Sequence, residues 1–138
     1  MTDVIVAKIS SSVVPAELRA GFFPRYLGRY FLKGESMIFD WARRLSVDYD
    51  GGSWEFFELS NDGFYVAPAR SGPLQVEWNL NGFSDTLGPD AFGIVVTLFA
   101  LCHLSELMAD DSIIERYHAL REFALTHADA RKILRAID

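Results

Sequence analysis

The chain has 138 residues, half of them hydrophobic and 14% aromatic, with a net charge of −6. Such a composition supports a real hydrophobic core and excludes whole-chain disorder, whose hallmark is low hydrophobicity. A single cysteine, Cys102, excludes an internal disulfide and any multi-cysteine zinc site, and fits a reducing cytoplasm, the expected location.

The N-terminal stretch MTDVIVAKISSS lacks a basic region followed by a long apolar one, so no signal peptide is expected. Val4 to Val14 is rich in β-branched residues and predicts a strand, ended by Pro15. Pro15 also suits the first position of a short helix through Ala20. Residues 21–31, GFFPRYLGRYF, hold breakers at Gly21, Pro24 and Gly28 and read as a loop with one helical turn. Ser36 is placed to cap a helix to about Ser46, with Ile38, Trp41 and Leu45 on one face.

Residues 51–68, GGSWEFFELSNDGFYVAP, place two β-favouring runs around Ser60-Asn61-Asp62-Gly63, a strong hairpin signal. Trp54, Phe56, Phe57, Phe64 and Tyr65 give this hairpin too much apolar bulk to stand uncovered in water. Pro73 to Trp78 predicts another strand, and Asn79-Leu80-Asn81-Gly82 a turn. Gly88-Pro89-Asp90 opens a helix over about 89–109, with proline where its missing N–H costs nothing. That helix is apolar nearly all round, which means burial in a core or a membrane. Its apolar run, Ala91 to Cys102, is interrupted by Thr97 and falls short of the ~20 residues a bilayer requires, so the core is expected and no membrane. Asp110-Asp111 breaks it. Ser112 and Glu115 form a capping box for the next helix, with Ile113, Tyr117, Leu120 and Ala124 inward. Thr126 is placed to cap a last helix to about Ile137, with Ala130, Ile133, Leu134 and Ile137 inward. The order predicts an α+β domain over residues 1–138. A small antiparallel sheet with the aromatic hairpin packs against a buried central helix and two C-terminal helices.

Charge is unevenly spread along this order. Residues 1–45 carry seven basic and four acidic groups, 46–111 one basic (Arg70) and eleven acidic, and 112–138 five basic and four acidic. A middle segment so acidic is repelled by phosphate, so direct nucleic-acid binding is not expected. It reads as a solvated face with helix-capping carboxylates, or as a docking face for a basic partner.

Reactive constellations are missing from the sequence. His103, His118 and His127 show no metal-ligand spacing, and His103 with Glu106 supplies two ligands where zinc takes three or four. His127 is placed to bridge two helices. No nucleophile elbow or phosphate-cradling glycine loop occurs. Cys102 sits in the apolar run, where a thiol acts as a small hydrophobe. Glu55 and Glu58, an odd number of residues apart, point to opposite faces of a regular strand and form no dyad. No metal and no catalytic residue is expected, and an acidic, aromatic hairpin without reactive machinery points to binding.

The run 51–68 resembles the signature of the KlcA/ArdB antirestriction family, whose members carry a G-G-x-W-x-F-x-x-L-S-N-G-G-F-Y-M-A-P-like segment. VPAELRAGFFPRYLGRYF (14–31), DAFGIVVTLFAL (90–101) and RYHALREFALTHADARKILRAID (116–138) are similar to further family stretches in the same order. Asp62 stands where the family usually has glycine. The resemblance implies a protein of plasmids and other mobile elements that relieves type I restriction of incoming DNA in the host cell. It also implies a mixed α and β fold, no known enzymatic activity and no cofactor, and it offers no catalytic residues to carry over.

Magnitude bears on the mechanism. A globule of this length has a radius of gyration of ~14 Å and a diameter of roughly 37 Å. Duplex DNA of that span carries about 20 negative charges, against −6 for the chain. DNA mimicry is therefore disfavoured. The expectation is a non-enzymatic contact with the type I restriction-modification complex, or with a factor controlling it, through Asp48, Asp50, Asn61 and Asp62. The alternatives are a small hydrolase using the hairpin carboxylates and a structural adaptor in plasmid maintenance.

Overall fold

A helix that is apolar on every side needs neighbours on every side. The structure, a computed structural model describing residues 8–138, supplies them. In chain order come β1 (Ser11–Val13), a 3-10 segment (Ala16–Gly21), α1 (Phe22–Leu27), a 3-10 turn (Gly28–Tyr30), α2 (Phe31–Leu45), β2 (Trp54–Leu59) and β3 (Phe64–Pro68). Next come β4 (Leu74–Trp78), β5 (Phe83–Leu87), α3 (Pro89–Leu107), α4 (Asp111–Ala124) and α5 (Ala130–Ile137). The strands form an antiparallel β1-β2-β3 sheet and a separate antiparallel β4-β5 pair. Helix α3 lies between them, packed on β3, α2, α4 and α5. This is the α+β arrangement predicted, with two small sheets where one was expected.

Helix α3 approaches β3 very closely. All five residues of β3 are buried. Opposite them stands Gly93, where a Cβ would overlap the carbonyl oxygen of Val66 and the Cα of Ala67. One turn on, Thr97 Oγ1 accepts the Val66 N–H at 3.3 Å and donates to the Gly93 carbonyl at 2.8 Å. A helix hydroxyl thus replaces the strand that β3 lacks on this side.

The hairpin's aromatic bulk divides between the sheet's two faces. Phe56 and Phe64 meet Phe22 of α1, with centroids at 4.9 and 5.5 Å. On the other face Phe57 and Tyr65 stack at 4.6 Å, and Phe123 of α4 lies parallel to Tyr65 at 5.8 Å. The turn is not a two-residue type I′ loop. Leu59 accepts the Asp62 N–H, and Asp62 alone is left-handed, at φ 67. A type I turn followed by one left-handed residue fits that description.

Several boundaries depart from the sequence expectation, each for a local reason. Of the strand expected over Val4–Val14, Val4–Ala7 lie outside the described residues and only Ser11–Val13 pair. The expected loop at 21–31 is mostly helical. Helix α2 starts at Phe31, five residues before Ser36, and Ser36 is an exposed interior residue. Gly34 sits inside that helix because its backbone packs against Leu27 and Leu104. Strand β5, FSDTL, carries no alternating apolar pattern: only its ends, Phe83 and Leu87, are buried. Asn81 sets it, accepting the Phe83 N–H at 3.0 Å while donating to the last turn of α5 through the Ala136 carbonyl at 2.7 Å. The cap of α4 is Asp110, which accepts from both the N–H and the hydroxyl of Ser112. Thr126 closes α4 by donating to Phe123, and α5 begins only at Ala130.

Gly93→Ala should lower unfolding free energy by about 1–3 kcal/mol, since backbone cannot give way as a side chain can. Gly34→Ala should cost less, because its new methyl meets the flexible end of Leu27. Urea titration of the two variants measures the order.

Candidate functional site

The four residues expected to contact a partner fall into two groups. Asp48 and Asp50 lie in the α2–β2 loop, and Asn61 and Asp62 in the β2–β3 turn. The six residues of β2 separate them, a span of roughly 17–20 Å at the strand rise. They do not form one patch.

Most of their polar atoms already have partners. The Asp48 carboxylate accepts the Gln75 N–H at 2.8 Å, and its carbonyl accepts from Arg70 at 3.1 Å. The Asn61 amide donates to the Ala119 carbonyl of α4 at 2.9 Å and accepts the Gly63 N–H at 3.2 Å. The Asp62 carbonyl accepts from Arg116 of α4. Asn61 therefore fastens the hairpin tip to α4. The exposed side chains of Asp50 and Asp62 remain to face solvent.

A further cluster joins β3, α3 and the α4–α5 junction. The Tyr65 hydroxyl donates to Asp90 Oδ1 at 2.7 Å, and His127 Nε2 lies 2.8 Å from Asp90 Oδ2. His127 Nδ1 accepts the Asp129 N–H at 2.9 Å, just before α5. With Nδ1 accepting, the neutral ring carries its hydrogen on Nε2 and donates to Asp90. Burial would raise the Asp90 carboxyl, but the hydrogen bonds from His127 and Tyr65 outweigh it, holding the group below its usual range. Burial, then the bond to Asp90, pushes the Tyr65 phenol well above its ordinary value. Sequence reasoning placed His127 as a helix bridge but missed Tyr65 and Asp90. No short-range spacing links residues 25 and 37 positions apart.

Asp90 also lines an open groove of about 570 Å³ with Glu55, Phe57, Pro68 and Arg70. Glu58 turns to the opposite face and pairs with Arg25 at 3.0 Å, so the hairpin holds no carboxylate dyad. Among the described residues no three His, Cys, Asp or Glu side chains converge as metal ligands would. His103 accepts from the Trp41 indole at 3.3 Å. Cys102, expected within the apolar run, is exposed because helical periodicity turns it outward. Partial burial and the neighbouring Glu106 raise its thiol above the ordinary value.

What fold and site define is a small α+β protein whose polar groups largely serve its own architecture. The sequence profile of the antirestriction protein family matches residues 47–138. The chain belongs to that family, the one that includes KlcA and ArdB. A KlcA antirestriction protein of Escherichia coli is 46% identical over 146 residues, covering all of both chains. A second is 43% identical over 135 residues, covering 94% of this chain and 95% of the relative. The uncharacterised YfjX of Escherichia coli K12 is 34% identical over 137 residues, covering 95% and 89%. A solved structure superposes with a TM-score of 0.90 at 43% identity, covering 99% of this chain and 100% of the other. It comes from work on KlcA and ArdB, which show a novel fold and antirestriction activity against type I DNA restriction systems in vivo but not in vitro.

Asp90→Ala should cost about 1 kcal/mol at neutral pH, a charge-assisted hydrogen bond discounted for a half-exposed carboxylate. A carboxyl depressed in the folded state contributes stability above its unfolded value of ~3.9 and loses it as pH falls through the folded value. The gap between parent and variant should therefore close below about pH 4, measured by urea unfolding across pH.

Proposed function

We propose that the chain relieves type I restriction in living cells by contacting a protein, without chemistry on a substrate. The observation that carries this reading is its full-length kinship with KlcA, together with the activity of KlcA and ArdB in vivo but not in vitro. A tight mimic of DNA would act on a purified restriction enzyme as well as on one in a cell. Activity seen only in cells favours a contact that needs something further from the cell, such as a factor controlling the restriction complex.

The charge pattern supports the same reading. Several acidic groups hold internal N–H, hydroxyl and imidazole partners, and the net charge of −6 lies far below the roughly 20 charges of a duplex of the same span. Non-enzymatic action is supported by the split of Glu55 and Glu58 between two faces and by the engagement of Asp90 with Tyr65 and His127. Within the expected contact set, Asp50 and Asp62 are the strongest candidates, since Asp48 and Asn61 already hold backbone groups.

Transformation with unmodified plasmid, in cells with and without a type I system, tests the reading. Relief should appear only in restricting cells, and relief in neither would refute it. Replacing Asp48, Asp50 and Asp62 together by asparagine should lower relief by about tenfold, equivalent to ~1.4 kcal/mol of lost partner affinity. Unchanged relief from a folded triple variant would remove those carboxylates from the contact.

A further inference from the structure

Among the described residues no strand pairs with the outer edge of β4, and that edge borders a groove. Gln75 of β4 turns its backbone away from β5, its N–H donating to the Asp48 carboxylate at 2.8 Å. Its cross-strand neighbour Thr86 also turns outward. The Thr86 N–H donates to Asp85 at 2.7 Å and its carbonyl accepts from Lys132 at 3.0 Å. Backbone groups two residues apart on a strand face the same side. The N–H and carbonyl of Glu77 therefore also face the free edge.

Beside that edge runs a groove of about 240 Å³, lined by Glu77 and Trp78 on one side and by Arg44 and Val47 on the other. Val47 is 92% exposed, an unusual place for a large apolar side chain. Trp78 is half-buried and stands edge-on to Trp41 at 5.1 Å. The Arg44 guanidinium lies 4.6 Å over the Trp41 ring and pairs with no carboxylate among the described residues.

We propose that this groove takes an extended segment of a protein partner as an added strand beside β4. An apolar side chain of the segment rests on Val47 and Trp78, and a carboxylate meets Arg44. The inference rests on the reading that the chain acts through a protein. Three features select this occupant. Unpaired strand N–H and carbonyl groups accept another strand and little else. A guanidinium placed over an aromatic ring and unpaired with a described carboxylate is available to a carboxylate of a partner. Asp48 already occupies the edge at Gln75, so pairing is confined to the Glu77 end and the ladder is short. Binding through it is correspondingly weak and reversible.

The test uses two peptides, acetyl-Ser-Val-Thr-Val-Glu-Val-Ser-amide and its Glu-to-Lys counterpart, titrated into the full chain. Tryptophan fluorescence and amide exchange at Glu77 are the readouts. The acidic peptide should bind saturably and slow exchange at Glu77. Arg44→Glu should weaken it by about tenfold, one lost charge-assisted pair, and shift preference to the lysine peptide. Val47→Asp, a change at an exposed position, should weaken both. No saturable binding, equal binding of both peptides to the parent, or an affinity indifferent to Arg44→Glu would overturn the proposal. The transformation assay separates the two claims. Parent relief that persists in folded Arg44→Glu and Val47→Asp variants removes the groove alone. Parent failure to relieve restriction removes the antirestriction reading, while the peptide titrations still decide the groove.

Discussion

The rest of the structure hangs on one close approach, that of α3 to β3. Gly93 allows it, since any side chain would meet the Val66 carbonyl, and Thr97 completes it by taking the Val66 N–H. A three-stranded sheet would otherwise present two open edges. Here one is closed by a helix, an economical answer to the hazard that free strand edges pose. With α3 fixed on the sheet, its all-round apolar surface becomes the floor for α2, α4 and α5. Its N-terminus is then placed so that Asp90 reaches both Tyr65 and His127.

That arrangement changes the meaning of the acidic middle of the chain. Read as charge alone, it suggests a solvated face with helix-capping carboxylates, or a docking face for a basic partner. In the fold, Asp48 holds a strand N–H, Asp85 holds Lys132 and the Thr86 N–H, and Asp110 caps a helix. Glu58 pairs with Arg25, and Asp90 ties sheet to helices. These carboxylates act as fasteners for short elements that lack length of their own. Glu58 and Asp85 are paired with cations, whereas Asp48 and Asp110 keep their charge while holding neutral donors.

Much of this was legible in the sequence, and the exceptions are instructive. The aromatic hairpin, the buried central helix and the two C-terminal helices follow from periodicity and turn chemistry. Strand β5 did not, because three of its five residues are polar and its register is imposed by Asn81 reaching α5. The start of α2 was hidden because Gly34 normally weakens a helix, whereas here it serves close packing on Leu27 and Leu104. The capping box at Ser112 and Glu115 does not form; Asp110, read in the sequence only as a helix breaker, caps α4 by accepting from the Ser112 N–H and hydroxyl. The expected contact residues Asp48, Asp50, Asn61 and Asp62 are neighbours along the chain, at the two ends of β2. They divide in space because a straight strand carries its two ends apart. Residues joined across long separations, such as Tyr65, Asp90 and His127, leave no local trace.

The most direct measurement is native-state hydrogen exchange at the Val66 amide. If the Gly93–Thr97 contact anchors the fold, that amide should exchange only through global unfolding, in step with the α3 amides of Ile94 to Leu98. Exchange of Val66 through a low-energy local opening, at the rate of the hairpin-tip amides, would contradict the account.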